Sequence, residues 1–324
     1  MRIDTEDIMT TITPTRATPD TGGAPNLVRR HPLVAFAVLA CGLSWLAWVP
    51  YILSPHGLGV WDVHVPELFG SAQLAGVLPG ALLGPLGAAF LVTAVTDGRA
   101  GLRTWVGRLW KWRVSWQWYV LALVAVPLVV VAAGAIASGG VIRPPSLLAL
   151  ATIVPALALQ MVTTGLSEEP GWRDFALPRL QRRFGPLGAA AVLGPLWALW
   201  HMPLFLSDWG GWPDAHWTAP LVFAGFTITF NVVMAWVFNR TGQSLPLSML
   251  LHVGVNNTVS VLWTDMYPGI DGDRGVLVLF VGATVAALAI IIATRGRLGY
   301  TGDRDHAVVH GTDQRFVDSA HGLR

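Results

Sequence analysis

The chain has little charge and almost no cysteine or lysine. Of its 324 residues only 12% are charged, against 53% that are hydrophobic. A soluble domain of this length carries about twice that charged fraction. One cysteine, Cys41, excludes an intramolecular disulfide and a cysteine zinc cluster. Among 21 basic residues the one lysine is Lys111. Together with abundant Ala, Gly, Arg and Trp, this composition suits a GC-rich bacterial genome. No repeat of fixed period is present. No apolar core directly follows Met1, so a cleaved signal peptide is not expected. The C-terminal His-Gly-Leu-Arg is no prenylation signal.

What the chain does have is long apolar blocks with the charges between them. Backbone in hydrocarbon must satisfy its own hydrogen bonds, so such blocks are helices. The first begins after Arg29, Arg30 and His31 and runs to about Leu53, reading as an uncleaved anchor. Seven more are expected at 73–96, 116–136, 147–181, 186–206, 219–238, 244–263 and 276–293. The expected fold is therefore an all-α polytopic bundle of about eight spans in a cell membrane. Residues 1–30 read as a disordered cytoplasmic tail, 31–295 as the transmembrane domain, and 296–324 as a second cytoplasmic tail. Pro170 and Gly171 interrupt the fourth span, which predicts a kink or tilt. Residues 101–115 mix Arg103, Arg108, Lys111 and Arg113 with Trp105, Trp110 and Trp112. That pattern suits a helix lying in the membrane interface, a plain basic loop being the alternative. These tryptophans, with Trp116 and Trp118, read as an aromatic belt.

Basic residues set the orientation. They gather in the N-terminal tail, the loop between spans two and three, the Arg182-Arg183 turn, at Arg240 and in the C-terminal tail. The alternate connections hold only Arg143 and Arg274, beside acids such as Asp62, Glu67, Asp208, Asp214 and Asp265. Both termini are then cytoplasmic and the span count is even.

An ionisable side chain at membrane depth costs at least about 2.5–3.5 kcal/mol, so each one there is a functional hint. The candidates are Glu168, Glu169, Arg173 and Asp174 on span four and His201 on span five. Span six adds Asn231, and span seven adds His252, Asn256 and Asn257. Counted from the arginine-marked helix ends at 1.5 Å per residue, Glu168, His201, His252 and Asn256 share a layer roughly 15–24 Å deep. Glu169 and Arg173 stand at i and i+4 with the acid first, the better order for an ion pair. Glu168 is then left for chemistry. His252 and Asn256 share one helix face. A buried glutamate near imidazoles can act as a general base, and His and Asn can donate to an oxyanion. Alternatively, Glu168, His201 and His252 can hold Zn2+ with an open position for water. Asn257, Asn231 and Asp174 read as structural.

At these residues the sequence resembles the CPBP intramembrane proteases, the type II CAAX prenyl endopeptidase or Abi family. Their three motifs read here Glu168-Glu169-x-x-x-Arg173, Trp197-x-x-x-His201 and His252-x-x-x-Asn256, in order on successive spans. Trp197 departs from the more common Phe. The resemblance covers a motif core of 147–262. It implies a hydrolase in which Glu168 activates a water and His201 holds or polarises it. His252 and Asn256 would stabilise the oxyanion, while Glu169 and Arg173 fix the geometry. It leaves open whether zinc takes part or a metal-free glutamate suffices. The implied partners are the bilayer and a membrane-anchored or lipidated (CAAX-type) substrate cut near the cytoplasmic side, with no nucleic acid. The competing readings are a non-proteolytic immunity or scaffold protein of the same fold, and a proton-coupled transporter using Glu168.

Overall fold

The computed structural model describes residues 24–302; the tail segments 1–23 and 303–324 lie outside the described residues. Among the described residues every regular element is helical, apart from an isolated bridge between Leu68 and Ser71. A short helix α1 (Ala24–Arg30) occupies part of the sequence read as tail. It leads into α2 (Pro32–Leu53). Then follow α3 (Ala72–Thr96), α5 (Trp116–Ala137), α6 (Leu147–Leu206), α7 (Ala219–Arg240), α8 (Leu245–Met266) and α9 (Gly272–Thr294). These seven are long and apolar enough to cross a membrane, so the chain is a multi-pass helical bundle. Between α3 and α5 lies the amphipathic α4 (Gly98–Gly107).

The helix starts follow from local chemistry. Ser71, Ser146, Ser244 and Asp271 each accept a hydrogen bond from a first-turn backbone N–H of the helix they precede. Such caps satisfy donors that the first turn leaves orphaned. Proline opens α2, α7 and α8, where its missing N–H costs nothing.

The 60-residue α6 holds both the fourth and the fifth expected spans. Its break is not at Pro170 but at Gly185, where φ is 70° and ψ 175°. That conformation is strained for any residue with a Cβ, and it divides α6 into two limbs at the expected turn. At Pro170 the helix instead widens into a π-helical segment, Pro170–Ala176, and a second one spans Met161–Gly165. The wider turn accommodates the proline ring without breaking the helix.

Small residues let α2 and α3 approach closely. Gly76, Gly80 and Gly84 recur every four residues along α3. A Cβ at these positions would stand 2.2 Å from the Tyr51 ring, 2.2 Å from Trp48 Nε1 and 1.8 Å from Ser44 Oγ. The contact is then pinned by hydrogen bonds from Trp48 Nε1 to Val77 O (2.8 Å) and from Ser44 Oγ to Gly80 O (2.7 Å). Close backbone approach is how helices associate where lipid removes the hydrophobic drive. Gly80→Val should therefore cost about 1–3 kcal/mol through overpacking. Gly42→Val, whose Cβ meets nothing within 4 Å, should melt like wild type. Thermal unfolding in detergent checks both, and equal melting of the two variants would refute this packing account.

The bundle has two chemically distinct ends. At one, Arg29 Nε donates to Val95 O (3.0 Å) and Arg179 pairs with Asp97 (2.8 Å). Arg108 pairs with Asp174, and Lys111 donates to Gly242 O. Asn239 Nδ2 donates to Leu298 O (3.0 Å), so Arg240 and the end of α9 belong to this end too. At the other, Tyr51 and His56 both meet Asp208. There too the Ser146 N–H donates to Asp265 and the His216 N–H to Asp273, each at 3.0 Å. The basic residues thus cluster at one end in space as they alternate in sequence. Trp105 departs from the aromatic-belt reading. It is buried and donates to Pro170 O at 3.1 Å, whereas Trp110 and Trp116 are exposed.

Candidate active site

The first limb of α6 brings the acidic pair inside. Glu168 and Glu169 sit in a single α-helical turn, Leu166–Glu169, between the two π-helical segments. Every residue from Ser167 to Pro178 is buried. A peripheral helix would expose one face here; this stretch is enclosed on all sides. Two adjacent glutamates can thus both point into protein.

Their partners differ. Glu169 is fully buried and serves two neighbours. Its Oε1 lies 2.9 Å from His252 Nδ1 and its Oε2 3.1 Å from Arg173 Nε. The expected ion pair at i and i+4 is therefore present. The Nε contact is close enough for an ion pair but lacks hydrogen-bond alignment, so the attraction is Coulombic. Arg173 is held further by Asn231 Oδ1, and Asn231 Nδ2 donates to Ala190 O at 3.1 Å. The Arg173 guanidinium also lies 4.8 Å from the centre of the Trp197 ring, a cation–π contact. Asn231 is thus the far anchor of the arginine, a structural role whose partner the sequence reading did not name.

Glu168 has a different neighbour. Its Oε2 accepts the Trp197 Nε1 hydrogen at 2.8 Å. Trp197 is the hub of the site, with its ring centre 5.2 Å from that of His252 and 6.0 Å from that of His201. The sequence marked Trp197 only as a motif position; its indole N–H is the missed functional feature. His201 Nδ1 lies 2.9 Å from Trp197 O. A carbonyl oxygen can only accept, so Nδ1 carries the proton and Nε2 of the neutral ring is an acceptor. His201 stacks on Trp209 (5.5 Å, 19°) and meets Phe223 edge-on. Nδ1 of His252 is occupied by the Glu169 carboxylate, which leaves its Nε2 for other work.

Glu168, His201, His252 and Asn256 all line one cavity of about 520 Å³, so three separate stretches of sequence deliver their predicted polar groups to one space. Asn256 is half-buried on its wall, one residue from Asn257, which faces elsewhere. Asn257 Nδ2 donates to Ile153 O at 2.9 Å and its Oδ1 accepts from Gln160 at 3.3 Å, tying α8 to α6. Asp174 lies outside the site, paired with Arg108. Glu168, His201 and His252 do not assemble into a metal-ligand set: among the described residues no three His, Cys, Asp or Glu side chains come close enough to share an ion. The Glu169 oxygens are committed to His252 and Arg173, and one Glu168 oxygen accepts the indole hydrogen.

Comparison with known proteins points to the same stretch. Residues 149–258 match the family model described as type II CAAX prenyl endopeptidase Rce1-like. A CAAX prenyl protease 2 of Methanococcus maripaludis is 26% identical over 136 residues, 41% of this chain and 49% of that protein. The chain thus matches about half the length of that curated relative.

Proposed function

We propose that the chain is an intramembrane endopeptidase acting on a membrane-anchored protein, a reading supported by the match of residues 149–258 to the type II CAAX prenyl endopeptidase Rce1-like family model. The observation that carries this reading is the shared cavity: one carboxylate, two imidazoles and one amide face a single space inside the bundle. Glu168 is the general base. It takes a proton from a water, whose oxygen attacks the scissile carbonyl, and returns that proton to the amine as the C–N bond breaks. The Nε2 acceptor of His201 holds the water. Asn256 donates to the oxyanion from its amide. His252 donates from Nε2 as an imidazolium that the adjoining Glu169 carboxylate stabilises. Glu169 and Arg173 position these groups and do not touch substrate. The mechanism takes its metal-free form because, among the described residues, no three His, Cys, Asp or Glu side chains converge on one point.

The test is hydrolysis by the protein purified in detergent. Wild type should cleave a quenched, farnesylated peptide, and a strong zinc chelator should leave the rate unchanged. Loss on chelation with recovery on adding Zn2+ would overturn the metal-free form. Failure to cleave prenylated or unprenylated membrane peptides would turn the reading toward a scaffold or immunity protein.

A further inference from the structure

We propose that the cavity opens on the extracytoplasmic side of the membrane. Its substrate is then a membrane-anchored polypeptide that presents its scissile bond in extended form on that side, not a cytoplasmic tail. The substrate part of this inference rests on the protease reading above; the sidedness does not.

The cavity runs from Glu168 and His252, near the middle of the bundle, toward the end away from the arginine cluster. The rim is formed by Leu68 and Phe69 of the α2–α3 loop and by Trp209 beyond α6. The wall includes Gln73 from the first turn of α3, Phe223 from the first turns of α7, and Val276 from the start of α9. On α8, which starts at the arginine end, the lining residues instead run from His252, near the middle of the helix, outward to Ser260. Helices running in opposite directions thus contribute opposite halves, as an opening at one end requires.

The other end is shut. Beyond Glu168 the enclosed stretch Ser167–Pro178 fills the bundle. Phe36 packs on Trp172 (5.3 Å) and Phe175 (4.9 Å), all three fully buried. Trp105 closes over Pro170, and the Arg108–Asp174 and Arg179–Asp97 pairs lie on top.

Basic residues stay on the cytoplasmic side of a membrane protein. The sealed end carries Arg29, Arg99, Arg103, Arg108, Arg182 and Arg183, among others, whereas the connections at the open end carry only Arg143 and Arg274. The open end is therefore extracytoplasmic. Its aromatic rim, with Trp209, Phe223 and His201 in mutual ring contact, suits an apolar side chain or lipid anchor next to the scissile bond. A peptide bond inside a helix is shielded by its own turns, so the segment must be extended or unwound to reach Glu168.

Sidedness can be read without catalysis. The sole native thiol is buried at Cys41, so a Cys41→Ala background gives single-cysteine variants. Phe69→Cys at the rim and Trp110→Cys at the sealed end replace side chains that are 88% and 77% exposed. Trp217→Cys, from an exposed residue at the open end, guards against a misfolded Phe69 variant. A membrane-impermeant maleimide should label Phe69→Cys and Trp217→Cys in intact cells, and Trp110→Cys only after permeabilisation. The reverse pattern would overturn the proposal while leaving the protease reading to its own assay.

Discussion

Arg173→Leu is expected to destabilise the protein by about 3–5 kcal/mol, the cost of stripping one partner from a buried charge pair. Arg173 and Glu169 are both fully buried. Without the guanidinium, the Glu169 carboxylate keeps only His252 for company, and Asn231 Oδ1 loses its donor. The double replacement Glu169→Leu/Arg173→Leu removes both charges and should recover part of the lost stability. It should not recover activity, because His252 loses the carboxylate that orients it. Thermal unfolding in detergent, read beside peptide cleavage, separates the two effects. A single Arg173→Leu variant as stable as wild type would mean that the pair is not held as described.

The second large effect divides two neighbouring asparagines. Asn256→Ala should lower the rate of cleavage about 10²–10³-fold, the usual loss for one oxyanion donor. Its melting should stay close to wild type, since Asn256 is a half-buried residue of the cavity wall. Asn257→Ala should do the reverse, lowering stability by about 0.6–1.7 kcal/mol per lost interhelical bond with a near-normal rate. It loses the ties to Ile153 O and Gln160. If Asn257→Ala were the inactive variant, the oxyanion assignment would be wrong.

Much of this architecture was legible in the sequence because hydrocarbon leaves so few options. The span from 73 to 96 appears as Ala72–Thr96, that from 116 to 136 as Trp116–Ala137, and that from 276 to 293 as Gly272–Thr294. Hydropathy, serine caps and arginine-marked turns suffice for these. The Glu169–Arg173 pair was legible because helix geometry alone places i and i+4 together.

What stayed hidden depends on packing between segments. A π-helical turn has no reliable sequence signature, so Pro170 read as the kink while Gly185, just before Pro186, made the real break. The indole bond from Trp197 to Glu168 joins residues 29 apart, and no spacing rule reaches that far. Asn231 anchors Arg173 across 58 residues. The Gly76, Gly80, Gly84 series was a signal within reach, since small residues every fourth position mark close helix contacts. The side on which the cavity opens could not be read from depth alone. Counting residues in from the arginine ends places Glu168 deep, whereas the packing of Phe36 on Trp172 and Phe175 at that end joins distant segments.

The most direct measurement compares wild type with Glu168→Gln on the same detergent-solubilised peptide. The amide keeps the shape and can still accept the Trp197 N–H, but it cannot take a proton from water. Cleavage should fall about 10²–10⁴-fold, the range for a lost general base, with unfolding unchanged. Cleavage by Glu168→Gln at the wild-type rate would contradict the mechanism at its centre.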